Sequence, residues 1–166
     1  MLQKTKQIDS SSDDWHDKPL QQRPGFLIRR LHQIHVALFM EECASEKITP
    51  VQYSILSALD QMSSAEQIIL SDAVGLDPTN VADVLARLER QKMIKRKVSA
   101  RDKRMKAVTL TEAGRRLLRR IDARAARAHE RTLAALKPAA RARFMRDLTR
   151  LVEFNNDVSR TPVGVR

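Results

Sequence analysis

Residues 65–90 constrain this chain more than any other stretch. From about Ala65 to Val74, the residues Ile68, Ile69, Leu70 and Ala73 recur at helical spacing, and Gly75 supplies the left-handed residue that ends such a helix. Asp77-Pro78 then gives a fresh N-cap with proline at the first helical position. The helix it opens carries Val81, Val84, Leu85 and Leu88 on one face. A helix stopped by glycine and restarted within three residues forces a sharp turn between two short helices, a helix-turn-helix arrangement. Neither helix is long enough to hide its apolar stripe alone, so the rest of the chain must supply the core around them.

The flanking segments do so with mostly helical patterns. Pro24 opens a helix whose stripe is Leu27, Ile28, Leu31, Ile34, His35, Leu38 and Phe39, running to about Ala44. Thr49-Pro50 starts the next, with Val51, Tyr53, Ile55, Leu56 and Leu59. The helical period breaks at Lys92. Ile94–Val98 and Met105–Leu110 then read as a two-stranded hairpin with a charged tip, Ser99-Ala100-Arg101-Asp102-Lys103-Arg104. Thr111 caps a long helix striped with Gly114, Leu117, Leu118, Ile121, Ala125, Ala128 and Thr132. Pro138 opens a last helix with Phe144, Met145, Leu148, Leu151 and Val152 on one face. Residues 1–22 read as a mobile arm, or as a segment that orders only against a partner subunit, and residues 159–166 as a frayed tail. The expected fold is mainly α with a small β-wing.

Charge is unevenly spread along this frame. Residues 92–131 carry 15 Lys/Arg against 4 Asp/Glu, a net +11, whereas residues 1–91 sum to −4. A concentrated positive field attracts polyanions, because binding phosphates releases condensed counterions. On charge alone, nucleic acid, an anionic membrane surface, an acidic protein and a merely solvated arginine-rich helix all stay open. Composition narrows the choice. No apolar run is long enough to span a bilayer, the first residues lack a signal-peptide core, and the single cysteine, Cys43, forms no internal disulfide. A cytoplasmic protein without membrane association is expected. Four Phe, one Tyr and one Trp offer no stacking platform for single-stranded nucleic acid.

A helix-turn-helix followed at once by a basic hairpin suits duplex DNA. The second helix of the pair is narrow enough for the major groove, its first residues meeting base edges. Those residues include Thr79, Asn80 and Asp83, with Arg87 and Arg90 further along toward the backbone. Asn80 is the candidate for a base contact, since an amide pairs bidentately with adenine. A solvent-facing role in the first turn is the competing reading, and the two arginines read equally as surface charge. Asp77 reads as a structural cap. At the hairpin, Arg101, Lys103, Arg104 and Lys106, with Lys95, Arg96 and Lys97, are candidates for phosphate or minor-groove contact. Asp102 among them is expected to brace the tip by pairing with an arginine.

Four segments then carry a resemblance. Gly75-Leu76-Asp77, Leu88-Glu89-Arg90-Gln91, Asp102-Lys103-Arg104 and Leu110-Thr111-Glu112-Ala113-Gly114 together resemble the MarR family of winged-helix regulators, in consistent order over roughly residues 24–157. The resemblance implies a homodimer on palindromic double-stranded DNA, acting as a repressor released by a small, often aromatic, carboxylic acid. With the arm at 1–22 and the tail at 159–166 outside it, the resemblance implies a dimerisation helix at 23–48, a winged helix-turn-helix module at 49–111 and dimerisation helices at 112–158. By position Arg104 resembles the family's minor-groove arginine and Asp102 its supporting acid. Asp83 departs from the basic residue many members carry there, which points to a distinct operator, since an acid accepts from cytosine N4.

An anionic effector needs cationic or hydrogen-bonding groups in an apolar pocket. Phe26, Arg30, His32, His35 and Phe39 are the candidates, with His35 also readable as a satisfied core histidine. Cys43 invites a redox-sensing alternative, which neighbouring Glu41, Glu42 and Glu46 oppose by disfavouring a thiolate. A non-specific architectural nucleic-acid binder is the other alternative. No phosphate loop, dinucleotide fingerprint, nucleophile elbow or metal-ligand cluster appears, so neither an enzyme nor a cofactor or metal requirement is expected.

Overall fold

The structure, a computed structural model, describes residues 14–98 and 106–163. Helix α1 (Pro24–Glu42) leads through a 3-10 turn (Ala44–Glu46) to α2 (Pro50–Met62) and a two-residue strand β1 (Ala65–Glu66). Helices α3 (Gln67–Val74) and α4 (Pro78–Arg90) follow, then strands β2 (Ile94–Val98) and β3 (Lys106–Leu110), and finally α5 (Glu112–Thr132) and α6 (Pro138–Asn155). The fold is mainly α with a three-stranded antiparallel sheet.

The helix starts are set by side chains that satisfy orphan amides. Thr49 and Gln52 form a reciprocal capping box on α2, Thr49 Oγ1 accepting from Gln52 N–H at 3.2 Å and Gln52 Oε1 from Thr49 N–H at 3.0 Å. Asp77 caps α4, its carboxylate accepting from Thr79 N–H at 2.8 Å. At the preceding turn Gly75 has a φ of 63°, and Leu76 N–H returns to Ser71 O at 3.1 Å.

The join between α4, the sheet and α5 rests on Thr111 and Gly114. Thr111 Oγ1 accepts from Gly114 N–H at 3.1 Å while its hydroxyl donates to the Lys92 carbonyl at 2.7 Å. Gly114 lies so close to the same turn that an added Cβ would stand 2.1 Å from the Met93 carbonyl oxygen. The Leu-Thr-x-x-Gly pattern is therefore a suture between the start of α5 and the chain leaving α4.

The sheet has the order β1-β3-β2. In β2–β3, Ile94 pairs with Leu110 and Val98 with Lys106, while Ala65 and Glu66 pair with Val108 and Ala107. This corrects two expectations. The hairpin belongs to a three-stranded sheet in which β3 is central, and Ala65–Glu66 is extended, so α3 begins at Gln67. Pairing with a strand some forty residues downstream satisfies the Ala65–Glu66 backbone better than a further half-turn of helix.

One core joins all of this. Phe39, Cys43, Ile55, Leu56, Leu59, Leu70, Val81, Leu85, Leu88, Val108, Leu110, Ile121 and Ala125 are buried in a single cluster running from α1 to α5. By contrast α6 buries none of its residues: Met145, Leu151 and Val152 are about half exposed, as are Leu27, Ile28 and Ile34 on α1. Residues 14–22 are held to the start of α1 by Arg23, which donates to the His16 and Lys18 carbonyls at 2.9 and 3.0 Å. The expected fraying of residues 159–163 is not seen; Thr161 and Val163 lie against Gly75. Among the described residues, no helix is long and apolar enough to cross a membrane.

Candidate nucleic-acid interface

Helix α4 has two faces of opposite chemistry. Val81, Leu85 and Leu88 are buried, while Thr79, Asn80, Asp83 and Arg87 are exposed on the other side of the helix. Spacings of three, four and seven residues bring Asn80, Asp83 and Arg87 onto one row, with Thr79 beside it. The row begins at the helix N-terminus, where backbone amides add positive potential. Gln67 of α3 fixes this end from behind, its amide donating to the Pro78 carbonyl at 3.1 Å; the pattern of apolar residues gave no hint of that link.

The sheet side sorts the basic residues. Arg96 points back and lies 3.1 Å from Glu89 of α4, so it braces sheet against helix. Lys95, Lys97 and Lys106 are exposed. Arg101, Asp102, Lys103 and Arg104 lie outside the described residues.

The arginine-rich α5 is a different matter. Arg120 grips Glu46 with two bonds of 3.0 and 3.2 Å, and Arg127 donates to Glu42 at 2.9 Å. Arg131 spans Glu42 and Glu41 at 2.8 and 3.2 Å, and Arg124 bonds Ser45. These arginines form a ladder against the end of α1 and the turn after it. Hydrogen bonds from Arg131 and Arg127 hold the Glu42 carboxyl below its ordinary pKa, and the bond from Arg120 does the same for Glu46. Arg120, Arg127 and Arg131 are thus paired with acids at the end of α1 and the turn after it, while Lys95, Lys97 and Lys106 of the sheet stay exposed.

Among the described residues, the five candidate effector residues stand in different surroundings along α1. Phe26 is half-buried under the Arg29 guanidinium, 5.3 Å from its ring centroid, and Arg30 is exposed, donating to Gln33 at 3.4 Å. Phe39 is sealed in the core, 5.5 Å from Tyr53. His32 is exposed. His35 faces α5, stacked on His129 at 5.1 Å, its Nδ1 2.9 Å from Thr132 Oγ1. Thr132 donates its own proton to the Ala128 carbonyl at 2.7 Å, so it accepts from His35 Nδ1–H, leaving His35 Nε2 as an acceptor. Burial lowers the His35 pKa, with His129 and His32 adding to the effect. The packing of α1 on α5 makes His129 the ring neighbour of His35. A separate cleft of about 390 Å³ lies between the turn before α2, the end of α4 and α5, lined by Lys47, Gln52, Gln91, Met93, Leu117 and Arg120 among others. None of the five lines it.

Cys43 is buried at 1% exposure, and burial pushes its thiol pKa up, with Glu42 and Glu46 adding to the rise and Arg124 and Arg127 opposing it. A thiol so placed is a poor peroxide nucleophile.

Residues 48–106, from the start of α2 into β3, match the MarR family. The PcaV transcriptional regulator of Streptomyces coelicolor, solved in complex with its natural ligand, is 33% identical with a TM-score of 0.75, over 82% of this chain and 96% of that one. The chain belongs to the MarR family. Other relatives of this MarR-family protein share the fold at lower identity. BpsR of Bordetella bronchiseptica, whose DNA binding is regulated by 6-hydroxynicotinic acid, is 28% identical with a TM-score of 0.77, covering 81% of this chain and 96% of that one. The repressor CouR, solved on a 23-mer DNA duplex, is 25% identical with a TM-score of 0.75, covering 80% and 94%. The MarR-family chain is thus a winged-helix transcription regulator by fold and family.

Proposed function

We propose that this regulator is a homodimeric repressor of palindromic double-stranded DNA, released by a small aromatic carboxylic acid. The observation that carries the reading is the exposed polar row of α4 standing opposite its buried apolar stripe. Asn80 and Thr79 meet base edges at the helix start, Asp83 accepts from a cytosine amine, and Arg87 reaches the backbone. Arg101, Lys103, Arg104 and Lys106 engage phosphate and the minor groove beside it, with Asp102 bracing the tip. CouR on its duplex supports this use of the fold.

The half-exposed apolar faces of α1 and α6 support a dimer. Residues 23–48 and 112–158 form the frame, 49–111 is the reading module, and a second subunit supplies the module for the second half-site. The effector reading rests on BpsR and its hydroxynicotinic acid and on ligand-bound PcaV. The His35–His129 stack gives an aromatic acid a flat, hydrogen-bonding wall at the α1–α5 contact, with His32, Arg30 and Phe26 toward the solvent end of α1. The work of such a protein lies on genomic DNA in the cytoplasm.

Footprinting over the chain's own upstream region tests the reading. One short inverted repeat should be protected over random duplex at physiological salt, and protection should vanish with an aromatic acid that also raises the melting temperature. Uniform protection of any duplex would show an architectural binder instead; protection untouched by a panel of such acids would remove the effector.

A further inference from the structure

The helix-turn-helix turn is held by a segment far away in sequence. Beyond α6 and a 3-10 turn (Asn156–Val158), residues 159–163 fold back so that the Thr161 hydroxyl donates to the Gly75 carbonyl at 3.0 Å, across 86 residues of sequence. The Val163 side chain covers the α-carbon of Gly75, where an added Cβ would stand 2.9 Å from Val163 Cγ2. Gly75 is thus demanded twice, by its left-handed φ of 63° and by the Val163 methyl.

The segment is built to stay there. Asn156 grips Val163 in both directions, its Nδ2 donating to the Val163 carbonyl at 2.9 Å and its Oδ1 accepting from Val163 N–H at 2.9 Å. Thr161 N–H donates to Ser159 Oγ at 3.2 Å. These side chain–backbone bonds close a loop that presents Thr161 and Val163 on one side before the turn is met. The Gly75 carbonyl is one of the acceptors a helix C-terminus leaves unpaired, and Thr161 fills it.

We propose that Asn156–Val163 is a strap whose Thr161 hydroxyl and Val163 side chain position the reading helix by fixing the turn that precedes it. The inference rests on α4 being the DNA-reading helix. Asp77, which caps α4, stands two residues after Gly75, so a displacement of the Gly75 carbonyl changes the angle at which α4 leaves the turn. The strap follows α6 directly, and α6 exposes Met145, Leu151 and Val152. Whatever seats on α6 is coupled through Asn156 and Thr161 to the N-terminus of α4, where Thr79 and Asn80 lie. The strap makes α6 a lever on the reading surface as well as a packing surface.

Three variants of the full chain test this: Thr161→Val, which removes the donor and keeps the shape; Asn156→Ala, which releases Val163; and Thr161→Ser, which keeps the hydroxyl. Hydrogen exchange over residues 75–80 should quicken about 3- to 10-fold in the first two, the scale of one lost hydrogen bond, and stay as wild type in Thr161→Ser. Operator affinity should fall by a similar factor in the first two, with random-duplex affinity and salt slope unchanged, because no phosphate contact is lost. Unchanged exchange in Thr161→Val and Asn156→Ala overturns the strap. So does quickened exchange with unchanged operator preference, since the turn would be held without positioning α4. Wild-type protein with no preference among duplexes would instead overturn the reading of α4, and the exchange measurements would still judge the strap.

Discussion

Gly114 and His35 show how single positions carry the design. At Gly114 the first turn of α5 meets the Met93 carbonyl with no room for a methyl group. Gly114→Ala must push the helix off the turn and with it the Thr111 bonds to Lys92 and Met93. The expected loss is about 1–3 kcal/mol of unfolding stability, as for other overpacked sites, read from urea denaturation; unaltered stability would mean that the suture yields freely. His35 acts through its proton. Its folded pKa lies below the ordinary value of 6.5, so above that pH both states are neutral and His35 contributes no pH dependence. As pH falls through 6.5 the unfolded chain takes up a proton that the folded chain resists, and stability drops toward the folded pKa. Wild-type melting temperature should therefore decline from pH 7.5 to 5.5 more steeply than that of His35→Gln. Parallel curves would free His35 of any role in acid sensitivity.

At the scale of elements, what was legible in the sequence followed local chemistry. Thr49, Asp77 and Thr111 each announce a helix start, and each caps one through a bond to an amide two or three residues on. Gly75 announces a left-handed stop for the same reason. The features that escaped are long-range pairings with no local signature. Strand β1 exists only because Ala65 meets Val108. Charge alone left the arginine-rich α5 open between a solvated face and a polyanion site, because the pairing of its arginines with Glu41, Glu42 and Glu46 comes from 74 to 90 residues away. His129 and the Thr161–Gly75 bond belong to the same class. At the candidate site, the outward placement of the α4 residues was legible because burial of Val81, Leu85 and Leu88 dictates which side faces out. The surroundings of the α1 candidates were not, because a list drawn along one helix cannot say which side chains meet. With Arg120, Arg127 and Arg131 paired to acids, the proposed phosphate contacts fall to the sheet end. Arg104→Ala should weaken operator binding and reduce the salt slope by about 1 while the oligomeric state is kept. An unchanged slope would take the wing out of the interface.

The whole molecule combines a well-filled core with an α6 that buries none of its residues. Such a helix does not hold its place in water by propensity alone; its apolar face needs a partner. Leu151→Glu combined with Val152→Glu should convert a sedimenting dimer to a monomer and abolish operator binding, since one half-site supplies too few contacts. A wild-type chain that sediments as a monomer at micromolar concentration would contradict the dimeric frame. On the proposed function, the outward row of α4 reads base sequence. Paired titrations of wild type and Asn80→Ala, on the protected operator and on random duplex of equal length at one salt concentration, test it most directly. The expected result is a loss of about 1–3 kcal/mol on the operator with little change on random DNA. Equal losses on both duplexes, or none on the operator, would contradict it.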